Sequence, residues 1–369
     1  MANLVQTGRS LLKRGYIRFL SLTGLLAWAK SRVAKKGIVV LTLHRVLPDS
    51  EFESACSQAG MMLRASTFDS LLEYLQKECT CILLDRAPAW KQDAAVNSRP
   101  RVAVTFDDGW KDNFETAFPI ARKYGAPFTI FICPELIARK QPFWAERVVA
   151  LWRHAEQAGE LESLRAQCKD LAGGRDIAGS SADRLIEHLK EKKPVECNSF
   201  IASLQAALAP SLNGKQLNGA GEFLNWDEIM QMSQAGISFG SHTNTHPILT
   251  RIPESETARE LLVSKTAIEA RLKACRFFAY PNGDWSGPVR ELVAGCGYQA
   301  AFANSPGVWR PETDLFTVPR VNISENKLTG GKGKFSRADL EYFVFWKAYR
   351  ASAKPITFWT ANGTSKLVP

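Results

Sequence analysis

From Gly37 onward, short apolar runs alternate with segments of helical periodicity: GIVVLTLHRV, TFDSLLEYLQKEC, TCILLDRA, RVAVTFDD, NFETAFPIARKYG and PFTIFICP. Strands alternating with amphipathic helices predict an α/β fold with a parallel sheet, of which a barrel is one form. The rhythm lapses between about Trp144 and about Gly221. There the chain is charged and helical in pattern (WAERVVALWRHAEQ, SADRLIEHLKEK, NSFIASLQAAL), punctuated by Gly173-Gly174 and Gly179-Ser180-Ser181. This stretch is expected to be a helical insertion within one domain.

The alternation resumes at Asn225, which can cap a helix while Glu228 closes a capping box. A strand in GISFGSH, a helix from about Glu254 to Leu272, a strand in CRFFAYP, a helix from about Val289 and a strand in YQAAFA follow. Gly330–Lys334 (GGKGK) reads as a loop, and the chain has no internal repeat.

Ahead of this body, Phe19–Ala29 is a short apolar run among basic residues, ending in Ala27-Trp28-Ala29. A secretory signal is one reading, but Lys30, Arg32, Lys35 and Lys36 follow at once. The preferred reading of residues 1–36 is a basic amphipathic helix on an anionic membrane surface, with Leu12, Tyr16, Phe19, Thr23 and Leu26 on one side. A helix packed on the domain is the alternative. The expected location is cytoplasmic, peripheral on the inner face of the membrane, with export as the alternative.

Charge sharpens this division. The net charge is +10, and residues 1–48 hold nine Lys and Arg with no acidic residue, so the remaining 321 residues carry only +1. Such an arm suits anionic lipid. With no zinc-finger spacing and no aromatic-interleaved basic run, nucleic acid is not an expected partner. No apolar run reaches the roughly 18 residues of a membrane span. The eight cysteines are scattered without a C-x-x-C pair, and several lie in apolar runs, which leans towards a reducing compartment.

Two constellations carry chemistry. Asp107-Asp108-Gly109 ends the strand Val102–Phe106, and adjacent carboxylates repel unless a cation or proton relieves them. A divalent metal would do so; a plain strand-to-helix turn is the competing account. Ser241–Pro247 ends the next such strand with His242 and His246. At i and i+4 these face one side of a helical turn and can share one ion. Two imidazoles and one carboxylate leave positions open for water and substrate. Zinc suits that set, as do other divalent ions.

Thr105-Phe106-Asp107-Asp108-Gly109, His242-Thr243-Asn244-Thr245-His246 and Phe278-Ala279-Tyr280-Pro281-Asn282-Gly283 together resemble the polysaccharide deacetylases, carbohydrate esterase family four with its NodB-homology domain. The resemblance spans Gly37 to Ser324 and implies a distorted (β/α) barrel over residues 37–369, interrupted by the insertion at about 144–221. It further implies removal of N- or O-acetyl groups from glycans, with Asp107 as general base and Asp108, His242 and His246 as metal ligands. The backbone N–H near Asn282 would meet the oxyanion. An amino-sugar polysaccharide or a lipid-linked glycan of cell-surface biosynthesis is the expected substrate.

The sequence departs from the family pattern twice. Ala279 stands where an arginine usually orients the base, and Arg320 in TVPRVNI is the candidate replacement, a structural salt bridge being the alternative. No histidine follows His246 to act as general acid. His44, at the end of GIVVLTLHRV, is the candidate acid, an arrangement that resembles the circularly permuted members acting on poly-N-acetylglucosamine.

Trp110, Tyr280, Pro281 and Asn282 are candidate substrate or oxyanion contacts, with Arg320 grouped beside them; Trp110, Tyr280 and Trp285 are candidates to stack on sugar rings, and Trp144 to line the cleft. Barrel packing competes for the aromatic ones. His154 and His188 read as solvated helix faces. The two departures also motivate an alternative function, a catalytically impaired glycan-binding protein of the same fold.

Overall fold

The structure, a computed structural model, describes residues 2–89, 99–137, 143–179, 181–213, 222–330, 333–352, 357–359 and 365–367. Parts of three expected features, at Ser180, at residues 214–221 and at Gly331-Lys332, lie outside the described residues.

Ten strands form around the site: β1 (Ile38–Leu43), β2 (Arg45–Leu47), β3 (Met62–Arg64), β4 (Thr80–Cys81), β5 (Arg101–Phe106), β6 (Phe128–Ile132), β7 (Ser238–Ser241), β8 (Phe277–Ala279), β9 (Ala300–Phe302) and β10 (Val321–Asn322). Eight pair in parallel in the order β10-β1-β5-β6-β7-β8-β9, with β4 beside the start of β5; β2 and β3 pair separately. β1 and β5 are fully buried along their length and in register from Ile38 against Arg101 to Leu43 against Phe106. That burial on both faces explains their continuous apolar sequences.

Between β9 and β10 the chain makes the turn that curls the sheet towards closure. Val318 donates to Ala301 and Ala303 to Val318 on the β9 side. Three residues later Leu41 and Thr42 of β1 take Val321 and Asn322 as register partners. This is the expected distorted (β/α) barrel.

Eleven helices of five residues or more in the α form matter below: α1 (Ala2–Leu22), α2 (Leu25–Lys36), α3 (Ala65–Glu78), α4 (Phe118–Tyr124), α5 (Trp144–Ala158), α6 (Leu161–Leu171), α7 (Ala182–Leu189), α8 (Pro194–Ala207), α9 (Trp226–Gln234), α10 (Glu254–Leu272) and α11 (Gly287–Gly295). The Asn225 side chain accepts from Glu228 N and the Glu228 carboxylate from Asn225 N at 2.9 Å each, so the anticipated capping box starts α9. The stretch containing α5 to α8 packs Val148, Leu151, Leu164, Leu185, Ile186 and Ile201 into a core of its own.

Two local expectations are corrected. TCILLDRA is a strand only at Thr80-Cys81; a 3₁₀ turn over Leu84–Ala89 follows and places Leu84 and Ala87 in the hydrophobic core with Ile38, Val40 and Ala103. The N-terminal segment is two helices, broken at Thr23-Gly24, with Gly24 in the left-handed region at φ 74°. Thr23 therefore lies beyond α1, its hydroxyl donating back to the Phe19 carbonyl. Leu26 is buried with Ala29 and Val33 on the inner face of α2.

α1 itself is divided: Ile17 and Leu20 are buried, while Leu11, Leu12, Tyr16, Phe19 and Leu22 are exposed, Leu12 and Leu22 at 78% and 79%. No helix among the described residues is long and apolar enough to cross a membrane. The eight cysteines are free thiols, six of them buried.

Candidate active site

All the groups singled out at strand ends converge on one edge of the sheet. His44 follows β1, Asp107 and Asp108 follow β5, His242 follows β7, and Tyr280 follows β8. The strand ladder continues one residue past the named ends: Asp107 N donates to Leu43 O, His242 N to Ile132 O and Tyr280 N to Phe302 O, at 2.9 to 3.0 Å. Backbone hydrogen bonding thus fixes where each side chain leaves the sheet.

At Asp108 and Gly109 the chain turns through two successive left-handed residues, φ 74° and 79°. A Cβ on Gly109 would stand 3.0 Å from Ile132 Cγ2, so the sharp turn needs glycine there for space as well as for φ. The left-handed Asp108 costs roughly 1 kcal/mol, and Trp110 helps to hold it, donating Nε1–H to Asp108 Oδ2 at 3.0 Å.

The His242–His246 segment is not the helical turn expected from the i, i+4 spacing. It is a loop with Thr243 and His246 both left-handed, φ 67° and 66°. Glu260 of α10 holds it, accepting from Asn244 N, Thr245 N and Thr245 Oγ1, each at 2.8 Å. Glu260 escaped sequence reasoning, although a carboxylate on the core-facing stripe of α10, beside Thr257, Leu261, Ser264 and Ile268, was the available signal. Thr243 Oγ1 accepts from His246 N, completing the loop.

Within this loop His242 Nδ1 lies 2.7 Å from the Ala279 carbonyl. A carbonyl only accepts, so Nδ1 carries the hydrogen and the Nε2 lone pair is free to bind a cation. His242 Nε2 stands 3.6 Å and His246 Nε2 3.3 Å from Asp108 Oδ1, and the three donors lie within 4.8 Å of one another. Ligands about 2.0–2.1 Å from a tetrahedral ion sit roughly 3.3 Å apart. The donor set and its spacing therefore fit a divalent metal. Burial pulls His242 down to about 4, keeping the imidazole in the neutral form that ligation requires.

Asp107, 3% exposed, is gripped by Arg320 through two parallel bonds, Nη1 to Oδ1 at 2.7 Å and Nη2 to Oδ2 at 2.8 Å. Burial alone would raise its pKa; the Arg320 charge, with His242 and the guanidinium hydrogen bonds, reverses that and holds it below the usual range. Arg320 is thus engaged by the Asp107 carboxylate, while it also lines the cavity. Its Nε also donates to Ala303 O.

His44 Nε2 lies 3.9 Å from Asp107 Oδ2. Burial lowers its pKa against the pull of Asp108 and Asp107. Asn113 Nδ2 donates to His44 O at 2.8 Å, and Asp112 takes both Val46 N and the Arg45 guanidinium, anchoring the backbone around His44. Neither residue was singled out from the sequence.

The ring candidates fare differently. Trp110 lines the cavity but is 1% exposed, stacked on Phe223 at 4.5 Å with Arg45 over its ring at 4.6 Å, so both its faces are covered. Tyr280 is fully buried, its hydroxyl donating to Phe316 O. Pro281 is buried and does not line the cavity. Asn282 does line it, left-handed at φ 59°. Beside it, a Cβ on Gly283 would fall 2.6 Å from Asn304 N, so glycine permits the close approach of that turn to the end of β9.

These groups open into a cavity of about 430 Å³. Its outer wall comes from the helical stretch, through Trp144, Glu146, Arg147, Lys190, Lys192 and Asn198. Trp285 is not part of it. His154 bonds Ser211, and His188 is likewise absent from the cavity lining.

The family model described as polysaccharide deacetylase matches residues 94–166 and 178–301. A Bacillus subtilis (strain 168) protein named "Putative polysaccharide deacetylase YxkH" is 38% identical over 307 residues, 81% of this chain and 75% of that protein. Among solved structures, the Streptococcus pyogenes deacetylase PplD in complex with acetate aligns with a TM-score of 0.52 at 17% identity, over 79% of this chain and 94% of that one. IcaB from Ammonifex degensii gives 0.51 at 18%, with the same coverage. At such identities the structures speak for the fold.

Two outcomes are expected. Arg320→Leu leaves Asp107 buried without its countercharge and should cost about 3–5 kcal/mol in urea unfolding; adding Asp107→Asn should recover much of the loss. The second concerns Glu146, 3% exposed, with Oε1 accepting from Ser57 and Oε2 without a partner. Burial raises its pKa to about 7 from 4.5. A raised folded-state pKa favours the native state below 4.5 and loses that advantage as pH rises through 7. Glu146→Gln should therefore gain stability relative to wild type between pH 4.5 and 8, by up to about 3 kcal/mol, read as the difference in Tm across that range.

Proposed function

Because this chain belongs to the polysaccharide deacetylase family, we propose that it hydrolyses the N-acetyl groups of amino sugars in a polysaccharide or lipid-linked glycan. The observation that carries the reading is the bidentate Arg320–Asp107 pair beside the Asp108, His242 and His246 donors. It answers the Ala279 departure by supplying an orienting arginine from the segment that leads into β10.

In this reading Asp108, His242 and His246 hold a divalent ion, zinc being the best fit to one carboxylate and two neutral imidazoles. When bound, the ion polarises the acyl oxygen and lowers the pKa of water beside it.

The chain's own residues do the rest. Arg320 keeps Asp107 ionised and fixes its plane, so that Asp107 takes a proton as water oxygen bonds to the acyl carbon. The backbone N–H at Asn282 donates to the oxyanion that develops. His44, 3.9 Å from Asp107, gives a proton to the sugar nitrogen as the C–N bond breaks, releasing acetate and the amine. Its lowered pKa makes the protonated imidazole a stronger acid for that step.

The exposed face of α1 supports a second element of the proposal, attachment to an anionic membrane surface. Leu11, Leu12, Phe19 and Leu22 form an exposed apolar face beside Tyr16, which packs edge-on against Tyr342, with exposed Lys13, Arg14 and Arg18 next to it. Lys30 and Arg45 of the basic arm are instead engaged by Glu78 and Asp112. Apolar area and lysine or arginine on one helix suit the headgroup boundary of anionic lipid.

Purified protein should release acetate from N-acetylglucosamine oligomers; chelator should abolish release and a divalent metal restore it. His44→Ala should lower kcat by roughly 10²–10⁴ while elemental analysis shows unchanged metal content. No release by metal-loaded protein from any N-acetyl glycan would favour the glycan-binding alternative. For the membrane, the full chain should sediment with vesicles containing phosphatidylglycerol and not with pure phosphatidylcholine. Leu12→Glu with Phe19→Glu, both on the exposed face, should weaken that binding at least about tenfold; equal sedimentation of the variant would overturn the attachment.

A further inference from the structure

The cavity wall opposite the strand ends is charged in a way the deacetylation chemistry does not use. Arg147 leaves α5, Lys190 and Lys192 lie in the connection from α7 to α8, and Arg251 sits in the short turn after His246; all four line the cavity. Arg147 donates to the neutral Gln205, and Lys190 is paired with Glu187. Among the described residues Arg147, Lys192 and Arg251 have no carboxylate within ion-pair distance. Of the carboxylates lining the cavity, Asp107 is taken by Arg320 and Asp108 lies against His246, which leaves Glu146 and Glu256. Glu146 is buried, and burial raises it towards neutrality.

This concentration is not a sample of the whole surface. Beyond residue 48 the chain carries a net charge of only +1, so four cations lining one cavity are a local excess, and some lysines and arginines elsewhere on the body are paired, as at Lys111, Lys123, Lys265 and Arg290. Unpaired cations around a concave, partly apolar site focus positive potential into it and raise the local concentration of anionic ligands.

We propose that the substrate is an amino sugar carrying an anionic oxygen group, a phosphate ester or a carboxylate. Arg147, Lys192 and Arg251 receive that group while the acetamido group reaches Asp107 and His44. The inference rests on the deacetylase reading and narrows its substrate. It also gives the helical stretch a task, since it contributes three of the four cations.

The test uses the full chain and three probes of one length: a neutral N-acetylglucosamine oligomer, the same oligomer with a terminal phosphate, and one containing uronic acid. Affinity is measured by calorimetry at ~20 mM and ~200 mM salt, and acetate release is measured in parallel. An anionic probe should bind roughly tenfold more tightly at low salt, losing most of that advantage at high salt. The combined variant Arg147→Gln, Lys192→Gln, Arg251→Gln should bring the ratio of anionic to neutral affinity close to one. The better of the two anionic probes identifies phosphate or carboxylate as the source.

Equal affinity of wild type for neutral and anionic probes, or a preference that survives in the combined variant, would overturn the proposal. Salt-sensitive anionic preference without acetate release would support it and count against the deacetylase reading. Release from every probe without preference would do the reverse.

Discussion

Two adjacent carboxylates are buried at the end of β5, and the site depends on their being kept apart in role. Asp107 and Asp108 are 3% and 4% exposed, where unrelieved negative charge would be driven to protonate. Each is relieved by a different neighbour. Asp107 receives the two-pronged guanidinium of Arg320, and Asp108 lies among His246, His242 and the Trp110 indole. One carboxylate is therefore held ionised and oriented by a guanidinium, and the other lies in a cluster of donors whose spacing fits a cation. Without Arg320 the difference between them would rest on the histidines and the Trp110 indole.

That separation is a property of the sheet. Parallel strands bring their C-terminal ends to one edge, where the backbone amides of Asp107, His242 and Tyr280 close the ladder to neighbouring strands. Arg320 reaches the edge because the segment from Val318 to Asn322 crosses from β9 to β1 as the sheet curls. Ala279 takes part through its carbonyl, which sets the His242 tautomer. The position that lost a family side chain retains a backbone task.

The helical stretch builds the opposite side of the cavity. Its independent core positions Trp144, Glu146 and Arg147 at the start of α5 and the lysines after α7. Ser57 ties it inward, linking Glu146 to Arg45, and Arg45 in turn to Asp112 beside the His44 corner. The charged cavity wall is thus joined by buried polar contacts to the strand ends that carry the Asp and His cluster.

Much of this was legible in local sequence. The continuous apolar runs of β1 and β5, the capping box of Asn225 and Glu228, the helix Glu254–Leu272 and the motif residues at strand ends all depend on contacts a few residues apart. Periodicity and residue type report such contacts directly. Sequence also narrowed the replacement for the missing arginine to Arg320. What it left open was whether Arg320 served the base or a remote salt bridge, since that pair joins residues 213 apart and forms only when the sheet closes.

The same limit hid the burial of Trp110 and Tyr280, whose surroundings are Phe223, Arg45 and Phe316. It hid the anchoring of the histidine loop by Glu260 and the gathering of Arg147, Lys192 and Arg251 at one mouth. By itself the sequence determined the elements, the fold class and the family motifs, because those are written in short-range pattern. Which polar groups meet, and which aromatic faces are covered, was decided by tertiary structure, because closure of the sheet and packing of the helical wall set those distances.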